Sequence, residues 1–192
     1  MEKIILASGS PRRKEILLNA GIPFEVCVSD AEECVFGSTP EEMVKSNALR
    51  KAKAVSEKFP GRVVLGADTV VVFDNNILGK PKDRSDAKRM LTLLSGKTHK
   101  VLTGVALTDG NRTAFDVEAT DVHFRELSEE MIESYLATGE CDDKAGSYGI
   151  QGKGGVFVEG ITGDYFNVVG LPLCKVNRML TDFYRKMPID NG

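Results

Sequence analysis

The order of apolar and polar positions predicts that strands and helices alternate from the start of the chain. Residues 3–7 form a short apolar run that fits a buried strand. A helix follows it, with Ser10 as a good N-cap, Pro11 in its first turn and Gly21 closing the segment. Apolar side chains recur at helical spacing within it, so one face packs inward. A second strand is predicted over 22–28.

The middle of the chain has the strongest strand pattern. Residues 39–42, Thr-Pro-Glu-Glu, have the form of a capping box and open a helix that ends before Pro60. The valine-rich run at 62–73 predicts a long strand. Turn residues at 74–76 then lead into a hairpin strand at 77–79.

The second half continues the alternation. A helix is predicted over about 85–94, followed by two long strands at 99–108 and 113–124. Ser128 caps another helix, and a glycine-rich stretch occupies 146–163. The last helix has four apolar residues on one face, Leu173, Val176, Leu180 and Phe183.

The fold class that these elements predict is α/β, with a mixed twisted sheet and flanking helices. Hairpin-like strands beside strand–helix alternation are typical of such a sheet. We expect a single domain over 1–192, because there is no internal repeat and no long linker, and the length suffices for one sizeable core.

Composition and charge restrict the class of partner and the compartment. A formal net charge of -3 argues against a general nucleic-acid binder. The first apolar run is too short for a signal peptide, and no stretch approaches the roughly 20 apolar residues of a membrane span. The four cysteines form no C-x-x-C pair, which favours reduced thiols. We therefore expect a cytoplasmic protein that binds neither nucleic acid nor membrane.

The first candidate site lies where the first strand meets the first helix. Backbone N–H groups and the positive end of the helix dipole converge there, which favours phosphate. Ser8 and Ser10 add hydroxyl groups. Arg12 and Arg13 project roughly 100° apart around the helix axis, so they can flank an anion. The alternative is a capped helix with two solvated arginines.

The second candidate site is an acid inside an apolar strand. Asp68 lies within the run 62–73, where a carboxylate is costly unless it is paired, hydrogen-bonded or bound to a cation. Functional acids are often kept in such places. The alternative is that Asp68 marks an exposed bend made by Gly66. Lys80 follows the hairpin and can hold phosphate or position the acid, unless it is simply solvated.

Further charged residues complete this candidate site. Lys51 and Lys53 lie two positions apart on a predicted helix, so at most one of them faces the site. Glu33 beside the strand acid would give the hard oxygen ligands that suit magnesium or manganese. The two histidines, His99 and His123, are interpreted as polar residues on strands and not as metal ligands.

The third candidate site is the glycine-containing segment 143–152. Its glycines let backbone approach a ligand. Gln151 presents both a donor and an acceptor, which suits the edge of a pyrimidine base. Tyr148 either stacks on a ligand or fills the core. Read alone, the segment is also consistent with an ordinary loop.

Taken together, these segments resemble the Maf family of nucleoside triphosphate pyrophosphatases. The resemblance implies a homodimeric α/β protein with a cleft between two lobes, similar in fold to inosine triphosphate pyrophosphatases. It also implies that Asp68 is the catalytic base. The matching stretches lie in order along nearly the whole chain, at 6–13, 66–71, 79–81, 95–99, 103–105, 143–152 and 168–173.

Three residues relate the chain to one branch of that family. The branch that acts on dTTP and UTP is similar to this chain in having Arg12, Thr69 and Gln151. A branch that prefers 7-methyl-GTP has tryptophan, glutamine and glutamate at those places. The resemblance therefore implies hydrolysis of dTTP and UTP, with house-cleaning of nucleotide pools as the role. Family members have also been linked to arrest of septum formation.

The expected mechanism is attack of water on the α-phosphorus, with pyrophosphate leaving. Asp68 would orient or deprotonate the water, and a magnesium or manganese ion held with Glu33 would bridge the phosphates. Ser8 and the helix start would cradle the phosphates, while Thr69 and Gln151 would read the base. Charge on the triphosphate would be neutralised by four basic residues, Arg12, Arg13, Lys51 and Lys80.

Two other functions use part of the same site. A nucleotide sensor that binds a partner protein needs the phosphate site but no metal-held acid. An inosine triphosphate hydrolase keeps the chemistry and changes the base.

Overall fold

One mixed sheet of seven strands organises the described residues, 2–32 and 39–185, of this computed structural model. The strand order is β2-β1-β3-β5-β6-β7, and β4 pairs with β3. β1 is parallel to β2 and β3, whereas the other pairs are antiparallel. The strands are β1 (Ile4–Leu6), β2 (Phe24–Val26), β3 (Val64–Phe73), β4 (Asn76–Leu78), β5 (Thr98–Thr108), β6 (Thr113–Phe124) and β7 (Val158–Thr162).

Helices cover both faces of the sheet. Short 3-10 turns occur at Ala145–Ser147 and Lys153–Phe157. In the part of the chain that is described, the α-helices are α1 (Pro11–Asn19), α2 (Pro40–Ser56), α3 (Arg84–Leu94), α4 (Glu129–Leu136), α5 (Tyr165–Val169) and α6 (Leu173–Arg185). The α/β prediction with a mixed sheet and flanking helices is confirmed.

Local sequence signals place most of these elements. Thr39 caps α2 by accepting the backbone N–H of Glu42, as the capping box predicts. Ser128 caps α4 through Met131. The helix predicted over 85–94 begins one residue earlier, because Asp83 is its N-cap. β7 and α5 were not predicted. β7 lies within the glycine-rich stretch, which hides its apolar pattern, and α5 has only five residues, too few to show a helical period.

Alternation along β3 and β5 sends side chains to two faces with different neighbours. Val64, Val70 and Ala106 face α2. On the other side Leu65 joins a core with α1, α5 and α6, while Val71 joins a second core with α3 and α4. These two cores correspond to the two expected lobes.

α6 packs through the apolar face that its sequence predicts. Val176, Leu180 and Phe183 are buried in the first of the two cores, and Leu173 packs against it. In the ranges that are described, we find no helix with the length and apolar character that crossing a membrane requires.

Candidate active site

A cleft of about 1210 Å³ opens beside the middle of β3. Its walls are the start of α1, one side of α2, the strand β3 and the segment 143–152. Glu33 lies outside the described residues. The cleft is lined by every other predicted site residue: Ser8, Ser10, Arg12, Arg13, Lys51, Asp68, Thr69, Lys80 and Gln151.

Asp68 lines the cleft and is 7% exposed. Lys51 Nζ donates to its Oδ1 at 2.7 Å, and Asn47 Nδ2 donates to its Oδ2 at 3.0 Å. The alternative of an exposed bend is wrong, because the pairing of β3 with β5 runs unbroken past Asp68. Lys53 is exposed away from the acid, as helical spacing predicts.

Asn47 is a site residue that the sequence reasoning missed. It is 3% exposed and lies one helical turn before Lys51, on the same side of α2. That spacing is a signal that could have found it, once Lys51 had been chosen as the lysine that faces the acid.

Two glycines allow α2 to come close enough to contact the acid. A Cβ at Gly66 would collide with the carbonyl oxygen of Ala48, and one at Gly104 with that of Val44. Gly104 lies directly opposite Asp68 in the β3–β5 register, and Gly66 is two residues before it on the same face. The backbone of α2 therefore packs closely against the backbones of β3 and β5, and polar side chains of α2 contact the Asp68 carboxylate.

The start of α1 forms another wall of the cleft. Ser10 occupies the N-cap position but its side chain makes no capping bond. Instead Ser8 Oγ accepts the backbone N–H of Ser10 at 3.3 Å. The Arg12 side chain is 29% exposed at the cleft, with Nη1 at 3.5 Å from Asp143 Oδ2. A cationic group and the positive end of a helix thus meet in one place.

Arg13, by contrast, is buried and holds several elements together. Its guanidinium donates to Ser8 Oγ at 3.1 Å, to Ala67 O at 3.0 Å and to Gly170 O at 2.8 Å. It also donates to Thr69 Oγ1 at 3.0 Å. The alternative of two solvated arginines is therefore wrong for Arg13.

Thr69 follows the acid on β3 and lies on the opposite face of the strand. Besides Arg13, its hydroxyl contacts Thr103 Oγ1 at 2.9 Å. Lys80 is exposed beyond β4, at the edge of the cleft. Gln151 is also exposed, on a turn closed by the backbone N–H of Gly152 donating to Gly149 O at 3.2 Å.

Tyr148 fills the core and does not project into solvent. It is 6% exposed, and its hydroxyl lies 2.8 Å from His99 Nε2. His99 lies on β5, as predicted, but it is 2% exposed and packs edge-on against Phe124, so it is part of the core. Burial, followed by the nearby His123, lowers the pKa of His99 to about 4.

Acidic residues in the cleft decide whether a metal fits. In the ranges that are described, no three or more His, Cys, Asp or Glu side chains come together as ligands for an ion. Magnesium commonly takes one or two carboxylates together with substrate phosphates. Asp68 therefore fits as one protein ligand of a metal that a triphosphate would share.

The fold and the cleft define an α/β protein in which a helix start suited to phosphate and a buried acid face the same space. The family model described as Maf-like protein matches residues 3–183. The chain belongs to this family.

Relatives and one solved structure can be compared over nearly the full length. The chain is 57% identical to a protein of Bacillus cytotoxicus named dTTP/UTP pyrophosphatase, over 95% of this chain and 96% of that protein. A protein of Bacillus anthracis with the same name is 55% identical over the same shares. A nucleoside-triphosphatase / dITP/XTP pyrophosphatase structure from Mycobacterium abscessus is 15% identical, covers 98% of this chain and 99% of that one, and has a TM-score of 0.47.

Proposed function

We propose that the chain hydrolyses dTTP and UTP to the nucleoside monophosphate and pyrophosphate. Hydrolysis of a nucleotide at a phosphoanhydride bond is supported by membership of the family and by the names of the relatives. The single observation that carries the proposal is the buried Asp68, held by Lys51 and Asn47 and open to the cleft that the start of α1 also lines.

In this proposal a water molecule attacks the α-phosphorus, and Asp68 orients it or takes its proton. The two hydrogen bonds from α2 fix the carboxylate in one orientation, which is what a general base requires. Lys51 also brings a positive charge next to the reacting phosphoryl group, where the transition state spreads negative charge.

Neutralisation of the triphosphate is the second part of the proposal. Arg12 and Lys80 line the cleft and are accessible enough to contact phosphate oxygens. Ser8, Ser10 and the N–H groups of the first turn of α1 add donors. Arg13 contributes positive charge from its buried position, and its hydrogen bonds hold Ser8 and β3 in place.

Base recognition is assigned to Gln151 and Thr69. The Gln151 amide is exposed on the wall of the cleft and has both a donor and an acceptor for the edge of uracil or thymine. Thr69 borders the same cleft beside Arg13.

A magnesium or manganese ion would be held by Asp68, with Glu33 as the second protein ligand. When bound, such an ion supplies charge neutralisation and polarises the phosphoryl oxygens. The residues of the chain then place the water and the triphosphate around it.

The setting of this activity is also part of the proposal. We place it in the cytoplasm, in a homodimer that clears unwanted pyrimidine nucleotides, with a link to arrest of septum formation. The described cysteines are free thiols, in keeping with a reducing compartment. Cell fractionation and light scattering at several protein concentrations test the location and the dimer.

A substrate panel tests the proposed function. Pyrophosphate release is measured from dTTP, UTP, CTP, ITP and 7-methyl-GTP, with magnesium or manganese present. Release from dTTP and UTP, with equal amounts of monophosphate, is the expected result. Tight binding without release would favour a nucleotide sensor, and faster release from ITP would favour an inosine triphosphate hydrolase.

A further inference from the structure

The turn that carries Gln151 is rich in glycine. Four of the seven residues at 149–155 are glycines, and glycine loses more conformational freedom on ordering than any other residue. A base-reading side chain on such a turn selects poorly unless something outside the turn fixes the backbone. The fixing group must contact the glycine segment itself.

Glu140 makes that contact from the end of the α4 region. Its Oε2 accepts the backbone N–H of Lys153 at 2.8 Å, and its Oε1 accepts that of Gly154 at 3.2 Å. Two successive N–H groups that point at one anion form the kind of concavity that binds carboxylate or phosphate. Tyr135 adds a third donor, with its hydroxyl 3.2 Å from Oε1.

The absence of a side chain at two glycines leaves room for this carboxylate. A Cβ at Gly152 would lie 2.5 Å from the carboxylate carbon of Glu140 and from both its oxygens. A Cβ at Gly149 would lie 2.6 Å from Lys144 Cε and 3.4 Å from Glu140 Oε1. Neither glycine is in the left-handed region, so close approach of these side chains is the reason for glycine on both sides of Gln151.

Charge also favours the arrangement. Burial alone raises the pKa of Glu140, but the N–H groups of Lys153 and Gly154 and the hydroxyl of Tyr135 outweigh it, so its pKa is below the ordinary value. Burial, followed by the charge of Glu140, raises the pKa of Tyr135, which keeps its hydroxyl a donor. The anion and its three donors therefore persist together near neutral pH.

We propose that Glu140 is a positioning residue for base selection, because its carboxylate fixes the turn that presents Gln151. The inference rests on the proposed function, in which Gln151 reads the pyrimidine. Uracil offers a donor and an acceptor at the edge where cytosine has the opposite order. If the turn is fixed, the Gln151 amide matches the donor and acceptor order of only one of these bases. If the turn is loose, the amide can adjust and hydrogen-bond to either base.

The ratio of kcat/KM for UTP to that for CTP tests this role. We expect Glu140→Ala to lower the ratio about tenfold. Glu140→Gln is expected to lower it by less, since the amide keeps one acceptor. A merely structural defect would reduce both values together and leave the ratio unchanged. The control is Glu159→Ala, an exposed glutamate on β7 that does not line the cleft.

A double mutant shows whether Glu140 acts through Gln151. If it does, Glu140→Ala changes the ratio little once Gln151→Ala is present, because the two effects are not additive. Amide hydrogen exchange at Lys153 and Gly154 gives a readout without substrate. It should accelerate in Glu140→Ala and stay unchanged in Glu159→Ala.

The outcomes separate the two proposals. If the wild-type protein does not favour UTP over CTP, the proposed function fails and base selection by the turn fails with it. If the wild type favours UTP and Glu140→Ala keeps the full ratio, the inference alone is overturned. If Glu140→Ala does not fold, a full ratio in Glu140→Gln despite faster exchange at Lys153 and Gly154 overturns it equally.

Discussion

Lys51 and Asp68 form an ion pair of 2.7 Å between the middle of α2 and the middle of β3, and both side chains are largely buried. Such a pair is weak evidence for stability, because desolvation offsets much of the attraction. Because the pair lies beside an open cleft, its importance is for the site and not for stability. The carboxylate is kept in place by the helix and still borders the space where a substrate can enter.

Asp68→Asn is expected to lower kcat about 1000-fold, because the amide cannot accept a proton from water. The fold and nucleotide binding should remain, since the side-chain volume is unchanged. Steady-state pyrophosphate release, thermal unfolding and calorimetric titration with UTP check this. Asp121→Asn, in an exposed ion pair with Lys100 on the neighbouring strand, is the matched control. Near-full activity of the Asp68 variant would remove the residue from the mechanism.

Replacing the two adjacent arginines should have different effects. Arg12→Gln is expected to raise KM for UTP about tenfold, with the free energy of unfolding nearly unchanged. Arg13→Gln should lower the free energy of unfolding by about 3 kcal/mol, because buried acceptors on β3 and at Gly170 lose their donor. Urea unfolding and UTP kinetics on both variants are the measurements. Equal loss of stability in the two would contradict the structural distinction.

Gly104→Ala tests the close approach of α2. The added methyl group meets the backbone of Val44, so we expect a loss of about 2 kcal/mol in the free energy of unfolding. kcat should also fall, because the helix that contacts Asp68 is pushed away. Gly160→Ala on β7, where the nearest atom would be 3.8 Å from the new Cβ, is the control. A Gly104 variant as stable and active as wild type would show that the contact is not tight.

His99 should make the stability of the protein depend on pH. Its pKa is about 4 in the folded chain, against an ordinary value of 6.5. The unfolded chain therefore binds more protons between these values, so stability falls as pH drops from 6.5 to 4 and is fully present above 6.5. The loss is about 3 kcal/mol.

Urea unfolding at several pH values checks this dependence. His99→Gln should flatten the decline between pH 6.5 and 4. Tyr148→Phe removes the hydroxyl that contacts His99 but keeps the imidazole, so its decline should remain as steep as in the wild type. An unchanged slope in the His99 variant would assign the effect to other groups.

Sequence signals identified the residues whose chemistry conflicts with their surroundings. Asp68 was found because a carboxylate in a valine-rich run needs a partner, and the starts of α2 and α4 were found from their N-cap residues, Thr39 and Ser128. Such conflicts are local, so a single sequence displays them.

The remaining features depend on groups that are distant along the chain. The acceptors of Arg13 include the backbone of Ala67 and Gly170, and backbone groups carry no sequence signature. The contact of Glu140 with the amides of Lys153 and Gly154 is of the same kind. These contacts become visible only when the sheet brings the segments together.

The most direct test of the account is hydrolysis of UTP in water enriched in oxygen-18, with mass analysis of both products. Attack on the α-phosphorus is expected to place one labelled oxygen in UMP and none in pyrophosphate. The Asp68→Asn variant should release neither product at a comparable rate. Label in pyrophosphate, or release of UDP with labelled phosphate, would contradict the proposed reaction.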